Sequence, residues 1–165
     1  MTKKLEREFY NIVSDILKND DFIDLKYELH HGMNRLQHSL NVAKMTYYLC
    51  KKFKNKDYIE ITRAALLHDF FKMNELGEGN MIWSHPVVAC QNATNYFHIN
   101  KVQQNIILAH MFPLSKAFPK SKGCVLVSLV DKIVATYECS RYKVPECGGA
   151  LLLFVMNFLI IPRQF

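Results

Sequence analysis

Apolar residues recur three and four positions apart along most of this chain, which is the spacing of one buried helix face. Prolines and glycines fall mainly between these stretches, where loops are needed. Asp57 and Glu60 have the spacing of a capping box, and Ser84 is placed to cap the fourth stretch. The pattern predicts an all-α bundle of six to seven helices, over about residues 3–18, 33–53, 57–72, 84–97, 101–111 and 123–139, with the seventh in the apolar tail at about 148–162.

Length and composition favour one folded domain. The chain has 165 residues, of which 50% are hydrophobic, so it can bury a core and is not expected to be disordered. We predict a single domain over residues 1–165. The net charge of +6 favours anionic ligands. The basic residues are scattered and form no nucleic-acid motif, so we expect no nucleic-acid partner.

The cysteines and the chain ends indicate a cytoplasmic protein. The five cysteines are an odd number without a Cys-x-x-Cys pair, which fits reduced thiols. The N-terminus has no apolar run of the kind that a signal peptide contains. The most apolar stretch, Ala150–Ile161, is too short to span a bilayer. We interpret it as a buried terminal helix, a contact in a homodimer or a helix on a membrane surface.

Ionisable residues interrupt the apolar faces of five predicted helices. A single buried histidine is commonly a hydrogen-bonded core residue, and a single carboxylate can belong to a structural salt bridge. Imidazoles and carboxylates on several converging faces are instead the donors of a transition-metal site. Neighbouring residues point about 100° apart on a helix, so an adjacent His-Asp pair would serve two ions, with the carboxylate as the bridge. The residues concerned are His38, His68 with Asp69, His85, His110 and Asp131.

The order and spacing of these residues resemble the HD-domain superfamily of metal-dependent phosphohydrolases, in its two-metal H…HD…H…H…D branch. The resemblance covers a motif core over about residues 35–138. Three elements support it: Arg35-Leu-Gln-His38-Ser39 resembles R-x-x-H-S, His68-Asp-Phe-Phe-Lys72 resembles the HD-x-x-K of HD-GYP phosphodiesterases, and His85-Pro86 resembles their H-P element. The GYP loop is absent, and Met111-Phe112-Pro113 stands where that class has a second histidine and an acid.

The resemblance implies an HD-type helical bundle that holds two divalent ions. His38, His68 and Asp131 would hold one ion. His85 and His110 would hold the second, and Asp69 would bridge the two. The resemblance favours Fe or Mn, while Ni, Co, Zn or Mg would also be compatible with such donors. Hydroxide from a water between the ions would cleave a phosphoester. We therefore expect a small anionic phosphoester, such as a nucleotide, as the substrate.

Two positively charged side chains, those of Lys72 and Arg35, extend this hypothesis. On the predicted helix over 57–72, Lys72 shares a face with His68 and Asp69, where it either stabilises phosphate charge or is a solvated helix-end lysine. Arg35 precedes His38 by almost one turn and either clamps phosphate or anchors its helix through a salt bridge. We assign catalytic roles to Asp69, Lys72 and Arg35. His30 and His31 line the pocket or lie outside the site, and we leave both out of it.

Two other functions remain open from the sequence. Mixed-valent di-iron oxygenases resemble the same H…HD…H…H…D pattern, and the position of Lys72 is what favours phosphate chemistry over theirs. A small HD domain could also bind a nucleotide without turning it over, as a sensor does.

Overall fold

The computed structural model describes residues 2–30, 32–78 and 81–142, without the side chains of Ile82 and Tyr142. Two short strands, β1 (Leu29–His30) and β2 (Met33–Asn34), form an antiparallel hairpin. Short 3-10 turns lie at Ile16–Lys18, Asp24–Tyr27 and Met73–Glu75. The described residues form seven α-helices: α1 (Lys3–Ile12), α2 (Asp20–Ile23), α3 (Arg35–Lys52), α4 (Tyr58–Leu67), α5 (Met81–Phe97), α6 (Lys101–Ala109) and α7 (Lys122–Tyr142). The all-α prediction is confirmed, while the predicted tail helix lies outside the described residues.

The longer helices enclose one apolar core. α3 packs against α4 and α7, α4 packs against α6, and α6 also contacts α5 and α7. α7 approaches α4 closely at Gly123, where a Cβ atom would lie 2.7 Å from Cδ1 of Ile61. Any larger residue would therefore force Ile61 to move. None of the helices in the described part of the chain has both the length and the apolar character needed to cross a membrane.

Asparagine caps fix where α3 and α6 begin. The side chain of Asn34 accepts a hydrogen bond from the backbone N–H of Gln37 at 2.8 Å, at the start of α3. Asn100 and Gln103 form a reciprocal capping box at the start of α6. Because each helix begins at a defined residue, the direction of every later side chain around the helix axis is defined as well.

Several predicted boundaries are wrong. The first helix ends at Ile12 rather than near residue 18, because the chain turns through a 3-10 segment into α2. The third predicted helix ends at Leu67 rather than at Lys72, although apolar residues continue beyond that point. The fourth begins at Met81, so Ser84 is not its cap. Asp57 does stand at the N-cap of α4, but it makes no side-chain capping hydrogen bond, so the predicted capping box is absent.

Candidate metal centre

The bundle brings all six predicted donors into one buried cluster. His38 comes from α3, His85 from α5 and Asp131 from α7. The remaining donors follow the last residues of α4 and α6. Every member is at most 7% exposed, and the set consists of His38, His68, Asp69, His85, His110 and Asp131. Polar side chains that are buried this deeply need partners, which here come partly from the cluster itself and partly from residues around it.

One side of the cluster is centred on Asp131. Its Oδ1 atom lies 3.1 Å from Nε2 of His38 and 3.5 Å from Nε2 of His68. One ligand atom from each of these three residues lies within 4.8 Å of the other two, and all three residues are buried. This trio can bind a metal ion.

The opposite side of the cluster is centred on two imidazoles. Nε2 of His85 lies 3.0 Å from Nε2 of His110. Both nitrogens also face Oδ1 of Asp69, at 3.5 Å from His85 and 3.6 Å from His110. The second carboxylate oxygen, Oδ2, faces His68 at 3.8 Å. Asp69 therefore presents one oxygen to each side of the cluster.

Two histidines reach the cluster through the same local geometry. His68 is the C-cap residue of α4 and His110 is the C-cap residue of α6, and both have helical backbone angles. Nδ1 of His68 donates to the carbonyl of Ala65 at 2.8 Å, and Nδ1 of His110 donates to that of Ile107 at 2.6 Å. Each ring thereby satisfies one of the carbonyls that a helix end leaves without a partner.

The outer ring nitrogens of the other two histidines are held as well. Nδ1 of His85 donates to the carbonyl of Met81 at 2.7 Å, and Nδ1 of His38 donates to Oε2 of Glu138 at 2.7 Å. A carbonyl oxygen can only accept, so the proton of a neutral ring must sit on Nδ1. The lone pair on Nε2 is then directed into the cluster, which is the arrangement of metal-binding histidines.

The charges within the cluster shift the pKa values of its members in opposite directions. Burial opposes ionisation of the two aspartates, but the surrounding imidazoles prevail and hold the pKa values of Asp69 and Asp131 well below their usual range. Burial works to lower the pKa of His38, yet its contacts with Asp131 and Glu138 raise that pKa to about 10. Burial and the nearby rings of His68 and His85 lower the pKa of His110 to about 3. The carboxylates are therefore ionised, and His110 is neutral at physiological pH.

A metal ion would satisfy the groups that the chain itself leaves unmatched. Nε2 of His68 and Oδ1 of Asp69 are buried and make no hydrogen bond among the described residues. Nε2 of His110 carries a lone pair that faces Nε2 of His85 at 3.0 Å. Two ligands on one ion, each bonded at about 2.0–2.2 Å, are separated by roughly 3–3.5 Å. Four of the contacts between donors, at 3.0–3.5 Å, match this separation. Imidazole with carboxylate suits divalent transition metals.

Arg35 is a buried structural contact in this fold. Its side chain is 1% exposed, and its Nη1 donates to the carbonyl of Phe71 at 2.8 Å. The guanidinium carbon stands 3.8 Å from the centre of the Phe71 ring. Arg35 thus fixes the segment that follows Asp69 against the start of α3.

Lys72 does not share a helix face with His68 and Asp69, because α4 ends before it. This part of the sequence interpretation is wrong. The Lys72 amine contacts Asp21 at 3.0 Å and Asp24 at 3.3 Å, and the side chain is 25% exposed. Its ammonium charge is thus shared with two carboxylates.

Sequence reasoning missed the residues that support the donors. Glu138 is 1% exposed and accepts from Asn41 Nδ2 at 2.8 Å as well as from His38. Glu138 follows Asp131 by two helical turns, so helical spacing could have placed both on one face. Lys132 is 2% exposed, and its amine donates to the His110 carbonyl at 2.7 Å. Lys132 follows Asp131 within the same apolar run, which is the signal that could have marked it as buried.

Comparison with protein families identifies the class of the chain. The HD-domain family profile matches residues 35–136, which is more than half of the chain, and the chain belongs to this family. The family includes metal-dependent phosphohydrolases. No curated protein and no solved structure matches the chain significantly.

Proposed function

We propose that this protein is a metal-dependent phosphohydrolase that cleaves a nucleotide or another small phosphoester at a two-metal site. One observation carries the proposal: the Nε2 atoms of four histidines converge while the Nδ1 atom of each is held by a partner outside the cluster. Core histidines that serve only packing have no reason to direct four Nε2 atoms at one another and at two buried carboxylates. Family membership supports the hydrolase class.

The two sides of the cluster support two ions rather than one. We assign one ion to His38, His68 and Asp131, and the other to His85 and His110. Asp69 would bridge the ions, since its two oxygens face different sides. Fe or Mn suits a set that is rich in imidazole, whereas Mg prefers oxygen ligands.

The residues of the cluster would hold and orient the ions. When bound, the two divalent cations would lower the pKa of a coordinated water and stabilise negative charge on the phosphoryl oxygens. Glu138 and the backbone carbonyls keep the imidazole rings in the tautomer that leaves Nε2 as the donor. The ionised Asp69 and Asp131 offset the charge of the cations, which a buried site requires.

Two cationic side chains remain part of the proposal in different ways. The net charge of +6 favours an anionic substrate. We propose that Arg35 acts as a positioning residue, because its guanidinium holds the segment after Asp69. We propose Lys72 as a group that stabilises phosphate charge, and this role would require its amine to leave Asp21 or Asp24 when substrate binds.

Metal content and product formation test this function together. Protein purified without chelator or metal-affinity resin is analysed for metals and then assayed against a panel of phosphoesters, with oxygen uptake measured in parallel. We expect about two ions per chain and release of phosphate or a nucleoside phosphate. Oxygen uptake by iron-loaded protein without phosphate release would instead identify an oxygenase. Tight nucleotide binding without turnover for any metal would identify a binding module.

The oxygen-uptake assay is essential because Lys72 lies beyond the end of α4 and does not share a helix face with His68 and Asp69. The sequence favoured phosphate chemistry over di-iron oxygenase chemistry on the strength of that lysine. In the structure, the Lys72 amine donates hydrogen bonds to Asp21 and Asp24. His68→Ala protein is the negative control in both assays, since that variant lacks a donor of the cluster.

A further inference from the structure

A short hairpin places a fifth histidine beside the cluster. β1 and β2 pair antiparallel, with Leu29 opposite Asn34 and His30 opposite Met33. The turn between them contains Gly32 at a φ of 83°, a left-handed conformation that glycine adopts without strain. His30 therefore reaches the site from a segment that precedes α3 and lies outside the family match.

The base of the hairpin is anchored to the elements that carry the cluster. The carbonyl of Glu28 accepts from the backbone N–H of Arg35 at 2.8 Å, at the start of α3. The carboxylate of Glu28 accepts from the backbone N–H of Met73 at 3.2 Å. These two bonds join the hairpin both to the helix of His38 and to the segment that follows Asp69. The position of His30 relative to the cluster is thereby built into the fold.

The distances of His30 are those of a donor. Its Nε2 atom lies 3.5 Å from Oδ2 of Asp69, and its ring centre lies 4.6 Å from that of His38. One ligand atom from each of His30, His38 and Asp69 lies within 4.8 Å of the other two. The separation of 3.5 Å equals that between His68 and Asp131, and that between His85 and Asp69.

We propose that His30 is a further nitrogen donor to the ion held by His38, His68 and Asp131. The inference rests on the proposed metal centre and adds to it an assignment that the HD motif does not contain. Oδ2 of Asp69, which His30 faces, is the oxygen directed at the side of that ion.

The added donor makes the two ions unequal. The first would have five protein donors, from His30, His38, His68, Asp131 and the bridging Asp69. The second would have three, from His85, His110 and Asp69. An ion with few protein ligands keeps positions for water and substrate, as catalytic zinc sites do. Substrate would therefore bind mainly through the ion beside His85 and His110, and the other ion would be the tighter of the two.

The hairpin itself provides a matched control variant. Neighbouring side chains on a strand point to opposite faces, and the side chain next to His30 belongs to Leu29, which is 84% exposed. Leu29→Ala therefore perturbs the hairpin without touching the cluster. His30→Ala removes the imidazole, and His30→Gln keeps a polar side chain in case the first variant fails to fold.

Manganese titration followed by electron paramagnetic resonance of unbound Mn²⁺ tests the proposal in these three variants and the wild type. We expect two sites in the wild type and in Leu29→Ala, and at least a tenfold weaker affinity at the tighter site in both His30 variants. The visible spectrum of Co²⁺-loaded protein should also change in the His30 variants, because it reports the coordination of the ion.

Two results would overturn the assignment, and they differ in what they leave standing. Wild-type affinities and an unchanged cobalt spectrum in both His30 variants would remove His30 from the site and leave the two-metal proposal intact. No binding of Mn²⁺, Fe²⁺ or Co²⁺ by the wild type would overturn the metal centre and the role of His30 together.

Discussion

His85 and His110 face each other through their Nε2 atoms at 3.0 Å, and both rings donate their outer proton to a backbone carbonyl. Two lone pairs at this distance repel unless a proton or a metal ion lies between them. The pair therefore forms one side of the cluster, and its proposed part in metal binding can be tested separately.

His110→Ala should reduce the metal content from about two ions per chain to about one. The other side of the cluster, with His38, His68 and Asp131, keeps its donors. Asp69→Ala should lose more metal and all activity, because Asp69 faces both sides of the cluster. His68→Ala should also lose activity, because it removes a donor on the side of Asp131. Elemental analysis checks the stoichiometry. His98→Asn is the control, since His98 is exposed at a φ of 48°, which asparagine tolerates. Two retained ions in His110→Ala would contradict the assignment.

Glu138→Gln should weaken metal binding by about 10–100-fold although every proposed ligand remains, because an amide orients the His38 ring less strongly than a carboxylate does. Competition with a chelator of known affinity measures the change. The matched control is Glu6→Gln on α1, where Glu6 is exposed. Equal affinities in the two variants would show that Glu138 does not support His38.

Arg35→Met should lower the free energy of unfolding by about 2–3 kcal/mol, since it removes a buried charged hydrogen bond and a stacked guanidinium. Denaturant unfolding of the metal-free protein measures this, with Arg7→Met on the exposed face of α1 as the control. If Arg35 instead clamps the phosphate of the substrate, Arg35→Met would increase KM and leave the free energy of unfolding unchanged.

Lys72→Ala should retain both ions and slow turnover, because the substrate loses a nearby positive charge. Steady-state kinetics and metal analysis on the same preparation test this, with the exposed Lys52→Ala as the control. Unchanged kcat and KM would assign Lys72 to its ion pairs with Asp21 and Asp24.

Metal binding should release protons and strengthen as the pH rises. The pKa of His38 is raised to about 10, so its ring is protonated at neutral pH in the absence of metal, and a cation must displace the proton from Nε2. Calorimetry in buffers with different ionisation enthalpies counts the released protons. Metal binding to the Glu138→Gln variant should release fewer protons, because the pKa of His38 falls when this carboxylate is lost. Affinity that stays constant between about pH 6 and 8 would contradict the mechanism.

The sequence predicts the burial of these six residues well because each of them interrupts an apolar helix face. Asp131 is conspicuous among valines and leucines, and His68 ends a run of apolar residues. Helical spacing alone was enough to place His38, His85 and His110 on buried faces, where the structure has them.

The end of α4 could not be predicted in the same way. Apolar residues continue through Phe70 and Phe71, and no proline or glycine follows before Gly77, so the pattern gives no stop signal. The helix ends at Leu67 because tertiary contacts take over, among them the hydrogen bond from Arg35 to the Phe71 carbonyl. This ending also changes the position expected for Lys72.

The missed supporting residues share a physical reason. The role of Lys132 depends on a contact with the His110 carbonyl across two helices, and the role of His30 depends on a two-residue strand pair. Neither contact leaves a periodic trace in the sequence. Glu138 is different, because its two-turn spacing from Asp131 could be found once the helix was assigned.

The donors of the cluster lie far apart along the chain, from His38 on α3 to Asp131 on α7, and together they stand on or just after five helices. Ions that bind all of these donors would cross-link the helices of the bundle. Ligands that bind only the folded state add to its stability in proportion to the logarithm of their concentration. The amount of intact protein in a cell would then follow the supply of the metal, and starvation for that metal would lower the stability of the protein as well as silence it.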